Sequence, residues 1–333
     1  MSRDIFVDRL KGYACFLVVF GHVIMGIRVA GVDIPGFFHG VEDFVWSFHV
    51  ALFLFLSGYV YKITGEWKSQ KTKSGFIKHK ALNLGVPYVV FSALYILINS
   101  LSGSANTQNS LNDILMIWKT PVAQYWFLYA LFFLFVVWTV FSDTMKNWQI
   151  TLFMVVFGYA SPFFGVSMGC FDVVVYSALA FGLGTAIPDI SGFKSLKPII
   201  KALVIVMHLI FGVTTVIAGV TGYPVIKELL IVFGIFASIL FISLIGELKL
   251  VSKFLEFMNK YSFQTYLLHT IFTAGIRIAL LKVGIENWIV HVVLGLVLGI
   301  AVPVICAKIA DYTGFLNIFF FPGKVLKKLG KKK

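Results

Sequence analysis

Charge is the scarcest property of this sequence. Only 13% of its 333 residues are Asp, Glu, Lys or Arg, whereas 59% are hydrophobic and the mean hydropathy is +0.91. A soluble domain has roughly 45–50% apolar residues. Because a water-soluble fold cannot bury so much apolar surface, the composition predicts a single integral membrane domain with no room for a second globular one.

Acidic residues and cysteines are also few. There are 15 Asp and Glu against 28 Lys and Arg, a net charge of +13. The basic residues are spread between apolar stretches instead of forming one compact face, so we expect no nucleic-acid partner. Cys15, Cys170 and Cys306 lie far apart and lack the spacing of metal ligands, which predicts packing residues and no metal site.

What the sequence has in abundance is long apolar runs. Hydropathy over windows of about 19 residues predicts an all-α polytopic fold of about ten transmembrane helices. The predicted spans are 10–29, 44–61, 82–101, 125–141, 149–165, 171–188, 199–220, 225–245, 263–283 and 288–309. The first span lacks a small-residue cleavage site, so we interpret it as a retained helix and not a signal peptide.

The distribution of Lys and Arg predicts the orientation. Assigning the loops to alternate sides places 23 of them with the N-terminus and 4 on the other side, and leaves Arg277 inside a span. Basic residues favour the cytoplasmic side, so both termini are predicted to be cytoplasmic in a plasma (inner) membrane. We divide the chain into a membrane domain, 1–310, and a basic tail, 311–333, predicted to lie along the inner membrane surface. An outer segment within 102–124 is predicted to form a short interfacial helix.

A histidine interrupts the first span. His22 follows Lys11 by eleven residues, about 16 Å along a helix axis, which places the imidazole near the bilayer midplane. Eleven residues make nearly three whole turns, so both side chains lie on nearly the same helix face. Ionisable groups within a span are costly and mark polar cavities or functional sites. Alternatively, His22 bonds a neighbouring helix and Lys11 extends to the headgroups.

Further polar residues lie in the second and ninth spans. His49 lies in the outer half of the second, with Ser57 near its inner end, and Tyr266 and His269 lie in the inner half of the ninth. Three histidines from three helices are therefore predicted to converge. The structural alternative is helix packing, especially for Ser57 beside Gly58.

The sequence resembles the acyltransferase type 3 family of multipass membrane enzymes. The family's first span carries a basic residue, ten residues and a histidine, which Lys11 and His22 match after Asp8. Lysine replaces the commoner arginine and keeps the charge without the guanidinium fork. The segment Phe48 to Gly58 is similar to the family's F-h-x-x-L-F-F-x-x-S-G pattern.

Three later segments extend the resemblance in the same order along the chain. Y-W-F-L-Y-A-L at 125–131 is similar to the family's L-W-F-L, and Y-S-F-Q-T-Y-L-L-H at 261–269 to its S-Y-x-x-Y-L-x-H. K-H-K-A-L-N-L-G-V-P at 78–87 stands where the family has arginines before a proline. Lys78 and Lys80 would replace those arginines.

The resemblance implies transfer of an acyl group, most often acetyl, from cytoplasmic acyl-CoA to a sugar hydroxyl. The acceptor would be a cell-surface polysaccharide or a lipid-linked sugar, and acetyl-CoA would be a substrate, with no permanently bound cofactor. His22 is the expected general base, since a neutral imidazole can take the hydroxyl proton.

The remaining candidates follow from position. Lys11, Lys78 and Lys80 would meet the donor's phosphates, and the acceptor would approach past His49 and Trp126. Ser57, Tyr266 or His269 would donate to the developing oxyanion, and Ser57 is also a candidate for donor binding. Alternatively, the loop lysines are only a topology signal and Trp126 belongs to the aromatic belt.

Several alternatives stay open from the sequence. Direct attack in a ternary complex and an acyl-histidine intermediate are both compatible with His22. A secondary transporter or exporter of a glycan or small solute would also use intramembrane histidines, although we find no repeats or paired broken helices. A non-catalytic scaffold would need no polar groups at midplane. The acceptor position, acyl length and oligomeric state are not specified.

Overall fold

The computed structural model describes residues 4–65, 67, 72–102, 109–160 and 167–330. Among these residues the regular secondary structure consists of helices, with no strand, which confirms the all-α prediction. The principal helices are α1 Ile5–Val29, α2 Phe37–Trp46, α3 His49–Thr64, α4 Lys73–Lys80, α5 Val86–Ser102, α6 Trp126–Phe141, α7 Asn147–Ala160, α8 Asp172–Ala186, α9 Pro198–Ile217, α10 Pro224–Ile245, α11 Lys249–Lys260, α12 Ser262–Lys282, α13 Trp288–Thr313, α14 Asn317–Phe320 and α15 Pro322–Gly330.

Eight helical segments among the described residues are long and apolar enough to cross a membrane. Two predicted spans are not among them. The span 149–165 corresponds to α7, whose 14 residues end at Ala160, and 161–166 lie outside the described residues. The span 263–283 corresponds to α12, which has 21 residues but carries buried Gln264, His269 and Arg277. The chain is a multi-pass membrane protein, and the count of ten stays a prediction.

The second predicted span is not one regular helix. It is interrupted at Ser47 and Phe48, between α2 and α3, where the Ser47 hydroxyl donates to the Phe44 carbonyl at 2.7 Å. A side chain that bonds its own backbone competes with the helix ladder and favours such a break. His49 therefore begins a new helix.

Contacts divide the chain into two compact units, with boundaries inside α3 and α13. Unit 1 comprises Met1–Leu56 and Ile187–Val304. Its helix α1 packs so closely on α11 that a Cβ at Gly12 would collide with the Leu255 carbonyl oxygen. Arg9, near the start of α1, pairs with Glu247 at 2.7 Å and Glu256 at 3.0 Å. These contacts place the 246–261 region beside the N-terminal end of α1.

Unit 2 comprises Ser57–Ala186 and Ile305–Lys333. Aromatic side chains form its centre, and Phe181 packs on Trp138 and Phe135 with ring centroids 4.9 and 5.4 Å apart. A Cβ at Gly58 would collide with the Phe181 carbonyl oxygen, so α3 and α8 are in backbone contact. This close approach supports the packing interpretation of the Ser57–Gly58 pair.

Two peripheral segments belong to unit 2. The predicted outer helix is a 3₁₀ helix over Leu111–Met116, with Leu111 and Leu115 exposed. The tail begins as the end of α13 and continues through α14 and α15, where Phe320 packs on Phe91 at 5.2 Å. Residues 331–333 of the predicted tail lie outside the described residues. Its placement at the inner membrane surface and the cytoplasmic orientation of both termini stay predictions.

Candidate functional site

Unit 1 brings the three intramembrane histidines together. The His22 ring lies 4.8 Å from the His269 ring, centroid to centroid, in an edge-on arrangement. Trp46 joins them, since its ring lies 5.1 Å from His22 and 5.2 Å from His49. One aromatic cluster therefore joins His22, His49, His269 and Trp46, which we call the histidine cluster.

Two parallel helices fix the positions of His22 and His269. Cys15 Sγ lies 3.8 Å from the Ser262 carbonyl oxygen, and the two histidines follow seven residues later on each helix. Equal steps in the same direction mean that α1 and α12 run side by side and parallel. Seven residues are about two turns, so both contacts lie on the same pair of facing surfaces. Helix α12 therefore runs alongside α1, although the polar residues of α12 lower the mean hydropathy of that helix.

All three histidines share one protonation pattern. His22 Nδ1 lies 2.8 Å from the Val18 carbonyl oxygen, and His49 Nδ1 lies 2.8 Å from that of Val45. His269 Nδ1 lies 2.9 Å from a carbonyl four residues earlier. A carbonyl oxygen can only accept, so each Nδ1 carries the proton. In the neutral ring, Nε2 then carries the lone pair, as a general base requires.

The three rings differ in accessibility. The side chains of His49 and His269 are fully buried, and neither Nε2 has a hydrogen-bond partner among the described residues. His22 is partly exposed, unlike the other two. A buried polar atom without a partner costs about 1–3 kcal/mol and is rare in folded proteins. Two such atoms therefore lie beside His22.

The tautomer also limits what His269 can do. Its Nδ1–H is already donated to the backbone carbonyls of Thr265 and Tyr266. A neutral His269 therefore has no N–H left for an oxyanion and acts as an acceptor. Oxyanion stabilisation remains a prediction for Ser57 and Tyr266, of which Tyr266 lies in unit 1 beside His269 and Ser57 belongs to unit 2.

Sequence reasoning missed two residues that support the cluster, Glu42 and Trp46. Glu42 is 3% exposed, and Arg28 donates to both of its carboxylate oxygens at 2.8 Å. A bidentate guanidinium–carboxylate pair fixes geometry as well as charge. It ties the end of α1 to α2, which carries Trp46 one turn later. The spacing of Glu42, Trp46 and His49, at intervals of four and three, was the signal in the sequence.

Arg277 and Lys11 lie on the same two helices. A Cβ at Gly26 would collide with Arg277 Nη1, so the guanidinium lies directly on the backbone of α1, one turn after His22. Arg277 is buried. Lys11 lies three turns before His22 and is partly exposed. Beside Lys11, Arg9 donates a hydrogen bond to Glu247 and holds the pKa of that carboxyl below its usual range.

The remaining predicted site residues lie in unit 2. Lys78 is exposed, whereas the Lys80 ammonium lies over the rings of Phe76 and Phe135, 5.1 and 4.4 Å from their centroids. Trp126 begins α6 and is partly exposed. These residues do not belong to the unit that contains the histidine cluster, and their roles stay predictions.

Comparison with known protein families gives a match over most of the chain. A family model described as an acyltransferase domain, of the acyltransferase type 3 family, matches residues 4–308. No curated protein and no solved structure matches the chain. The matched region covers nearly the whole sequence, including the histidine cluster, and ends before α14 and α15. The chain therefore belongs to the acyltransferase type 3 family and is a membrane acyltransferase.

Proposed function

We propose that this enzyme transfers an acyl group, acetyl in the simplest case, from cytoplasmic acyl-CoA to a hydroxyl of a cell-surface polysaccharide or lipid-linked sugar. The observation that carries the proposal is His22. It is the partly exposed member of the histidine cluster, and its Nδ1–H is committed to the Val18 carbonyl. Its Nε2 lone pair is thus oriented by the backbone and available to a hydroxyl.

In the proposed step, Nε2 of His22 takes the proton of the acceptor hydroxyl while the oxygen attacks the thioester carbonyl. The tetrahedral intermediate expels the coenzyme A thiolate as the carbon–sulfur bond breaks. The imidazolium then returns the proton to the thiolate, which regenerates neutral His22. A positioned base of this kind contributes typically about 10²–10⁴ in rate.

The other predicted residues fit this reaction as donor or acceptor contacts. Lys11, Lys78 and Lys80 would bind the donor's phosphates. His49, Trp126 and His269 would contact the acceptor sugar, and Tyr266 would contact the acceptor sugar or the developing charge. In this proposal the enzyme lies in the plasma (inner) membrane with both termini cytoplasmic. Coenzyme A thioester is consumed as a substrate and is not held between turnovers.

The test uses the purified full chain in lipid nanodiscs with radiolabelled acetyl-CoA and a crude surface-glycan fraction. Wild type should transfer label to the glycan, and His22→Ala should reduce the rate about 10²–10⁴-fold. His39→Ala is the matched control, because His39 is exposed in unit 1 outside the cluster. Equal transfer by wild type and His22→Ala would show that His22 is not the base.

The same assay addresses the transporter alternative. Family membership favours an enzyme, and a transporter would leave acetyl-CoA intact. If wild type neither transfers label nor consumes acetyl-CoA across a broad acceptor panel, the proposed reaction is wrong. Exposure of the enzyme to labelled acetyl-CoA without acceptor separates the two chemical routes, since only an acyl-histidine intermediate would label the protein.

A further inference from the structure

The C-terminal helix α15 is fastened to the turn that joins α4 and α5. The backbone N–H of Gly323 donates to Oδ1 of Asn83 at 3.1 Å, across 240 residues of sequence. Nδ2 of the same amide donates to the His79 carbonyl oxygen at 2.9 Å. Asn83 therefore uses both its acceptor and its donor to connect α15 with the last turn of α4.

Close packing at Gly323 fixes the position of α15 relative to Asn83. A Cβ at position 323 would lie 2.7 Å from Nδ2 and 2.8 Å from Oδ1 of Asn83, so no larger residue fits without displacement. Asn83 itself lies in a single π-helical turn, Ala81–Gly85. Such turns are rare and often occur at functional sites. The packing of Phe320 on Phe91 supplies a second fixed point for the tail.

The attachment joins two basic segments. Lys324, Lys327 and Lys328 are exposed on α15, and Lys78 is exposed on α4, directly before His79. None of these four lysines forms an ion pair within the described part of the chain. The segments 72–87 and 317–330 contain no acidic residue. The Asn83 attachment thereby brings together two basic segments that lie far apart in the sequence of unit 2.

We propose that α15 completes a binding site for the phosphates at the nucleotide end of the acyl-CoA donor, with Lys324, Lys327 and Lys328 adding to Lys78. This inference rests on the proposed function. The phosphates of coenzyme A carry several negative charges, and lysines are suited to bind them as point charges. Attraction of a basic tail to anionic lipid does not require the tail to be held in one position. The Asn83 attachment holds α15 in one position, and preorganised cations bind a multivalent ligand at lower entropic cost.

Three kinds of variant test the proposal in the full chain. Lys324→Ala/Lys327→Ala/Lys328→Ala removes the charges of α15. Asn83→Ala and Gly323→Ala keep every charge but release the attachment from either side. The control is Lys249→Ala/Lys253→Ala/Lys260→Ala, which removes equal charge from exposed positions on α11 of unit 1. The probe is coenzyme A, and pantetheine, which lacks phosphates, is the comparison ligand.

Binding is measured in nanodiscs of neutral phosphatidylcholine and again with anionic phosphatidylglycerol. We expect the triple α15 variant to weaken coenzyme A binding about tenfold or more in neutral lipid, and each release variant about threefold to tenfold. Pantetheine binding and the α11 control should change less than twofold.

Three results would overturn the proposal. The first is coenzyme A affinity unchanged in the triple variant, and the second is an equal loss in the α11 control. The third is a loss that appears only in anionic lipid, which would assign the lysines to lipid headgroups. If wild type binds coenzyme A in neither lipid, the proposed donor is refuted instead. Failure of the α15 proposal and failure of the proposed function are therefore distinguishable.

Discussion

The histidine cluster lies in unit 1, whereas the lysines of α4 and α15 that are joined through Asn83 lie in unit 2. Unit 1 contains His22, His49 and His269 in one cluster, with each Nδ1 bonded to a backbone carbonyl. Unit 2 contains exposed lysines on α4 and α15, joined through Asn83. Imidazole exchanges protons near neutral pH, whereas lysine ammonium groups remain charged and bind anions.

Under the proposed function, the histidine cluster would serve proton transfer, and the lysines of α4 and α15 would serve phosphate binding. In unit 1 the Nε2 atoms of His49 and His269 are buried without a hydrogen-bond partner in the described part of the chain, which costs stability. In unit 2 the charges lie at the surface, where water solvates them and little stability is at stake. We therefore expect substitutions in the histidine cluster to change stability and transfer rate, and substitutions of the α4 and α15 lysines to change donor affinity.

The largest expected effect concerns the backbone contacts inside each unit. Gly12→Ala and Gly58→Ala place a Cβ against a carbonyl oxygen of Leu255 and Phe181, respectively. We expect each to lower the free energy of unfolding by about 1–3 kcal/mol, with the loss of hydrogen-exchange protection confined to its own unit.

Open glycines provide the controls for these substitutions. At Gly275 in unit 1 and Gly85 in unit 2, an added Cβ would have nothing within 4 Å. Gly275→Ala, inside helix α12, should raise the free energy of unfolding by about 0.5–1 kcal/mol. Equal destabilisation of both units by Gly12→Ala would show that the division into units has no energetic meaning.

A second prediction concerns the buried histidines. His269→Phe removes an imidazole whose Nε2 has no partner among the described residues, so the free energy of unfolding should stay equal or rise by up to about 1 kcal/mol. The transfer rate should nevertheless fall about tenfold or more, because the cluster loses an acceptor beside His22. Thermal unfolding and label transfer on the same preparation check both parts. Destabilisation together with normal transfer would assign His269 to packing alone.

A third prediction compares two lysines of α4. Lys73 pairs with Asp143 at 2.8 Å and donates to the Val140 carbonyl at 3.0 Å, whereas Lys78 is exposed. Lys78→Ala should raise KM for acetyl-CoA by about threefold to tenfold and leave the unfolding temperature unchanged. Lys73→Ala should lower the unfolding temperature and leave KM for acetyl-CoA unchanged. Identical KM values for the two variants would remove Lys78 from the donor site.

The smallest effect is a pH dependence of stability in unit 2. The hydrogen bond from Lys73 lowers the pKa of Asp143. A lowered folded-state pKa stabilises the fold above the unfolded value, about 3.9 for aspartate, and this contribution is lost as the pH falls through the folded value. Asp143→Asn should therefore melt slightly earlier than wild type at pH 7, and the difference should disappear as the pH falls below the lowered folded-state pKa of Asp143. A constant difference across this range would exclude the carboxylate as its cause.

Hydropathy predicted the membrane character, most helices and the three histidine-bearing segments. It did so because apolar runs and their interruptions are local properties of the sequence. The break before His49 was not predicted, since it depends on a Ser47 side-chain bond within an otherwise apolar run. The burial of Glu42 was also missed, because its partner Arg28 lies in another helix.

The tail shows the same limit more strongly. Its lysines predicted a basic segment, but the bond between Asn83 and Gly323 joins residues that share no local pattern. The tautomers of the histidine cluster likewise depend on backbone carbonyls that every helix possesses. Only the three-dimensional arrangement shows which side-chain nitrogen is committed to them.

Chemical rescue of His22→Ala is the sharpest test of His22 as the general base. We expect that added imidazole, or 1-methylimidazole, which supplies a lone pair without an N–H, restores part of the label transfer lost on substitution. The rescue should increase with the concentration of the neutral form of either base, because the proposed role of His22 is proton removal by Nε2. Transfer by His22→Ala at the wild-type rate without added base would show that His22 is not the general base.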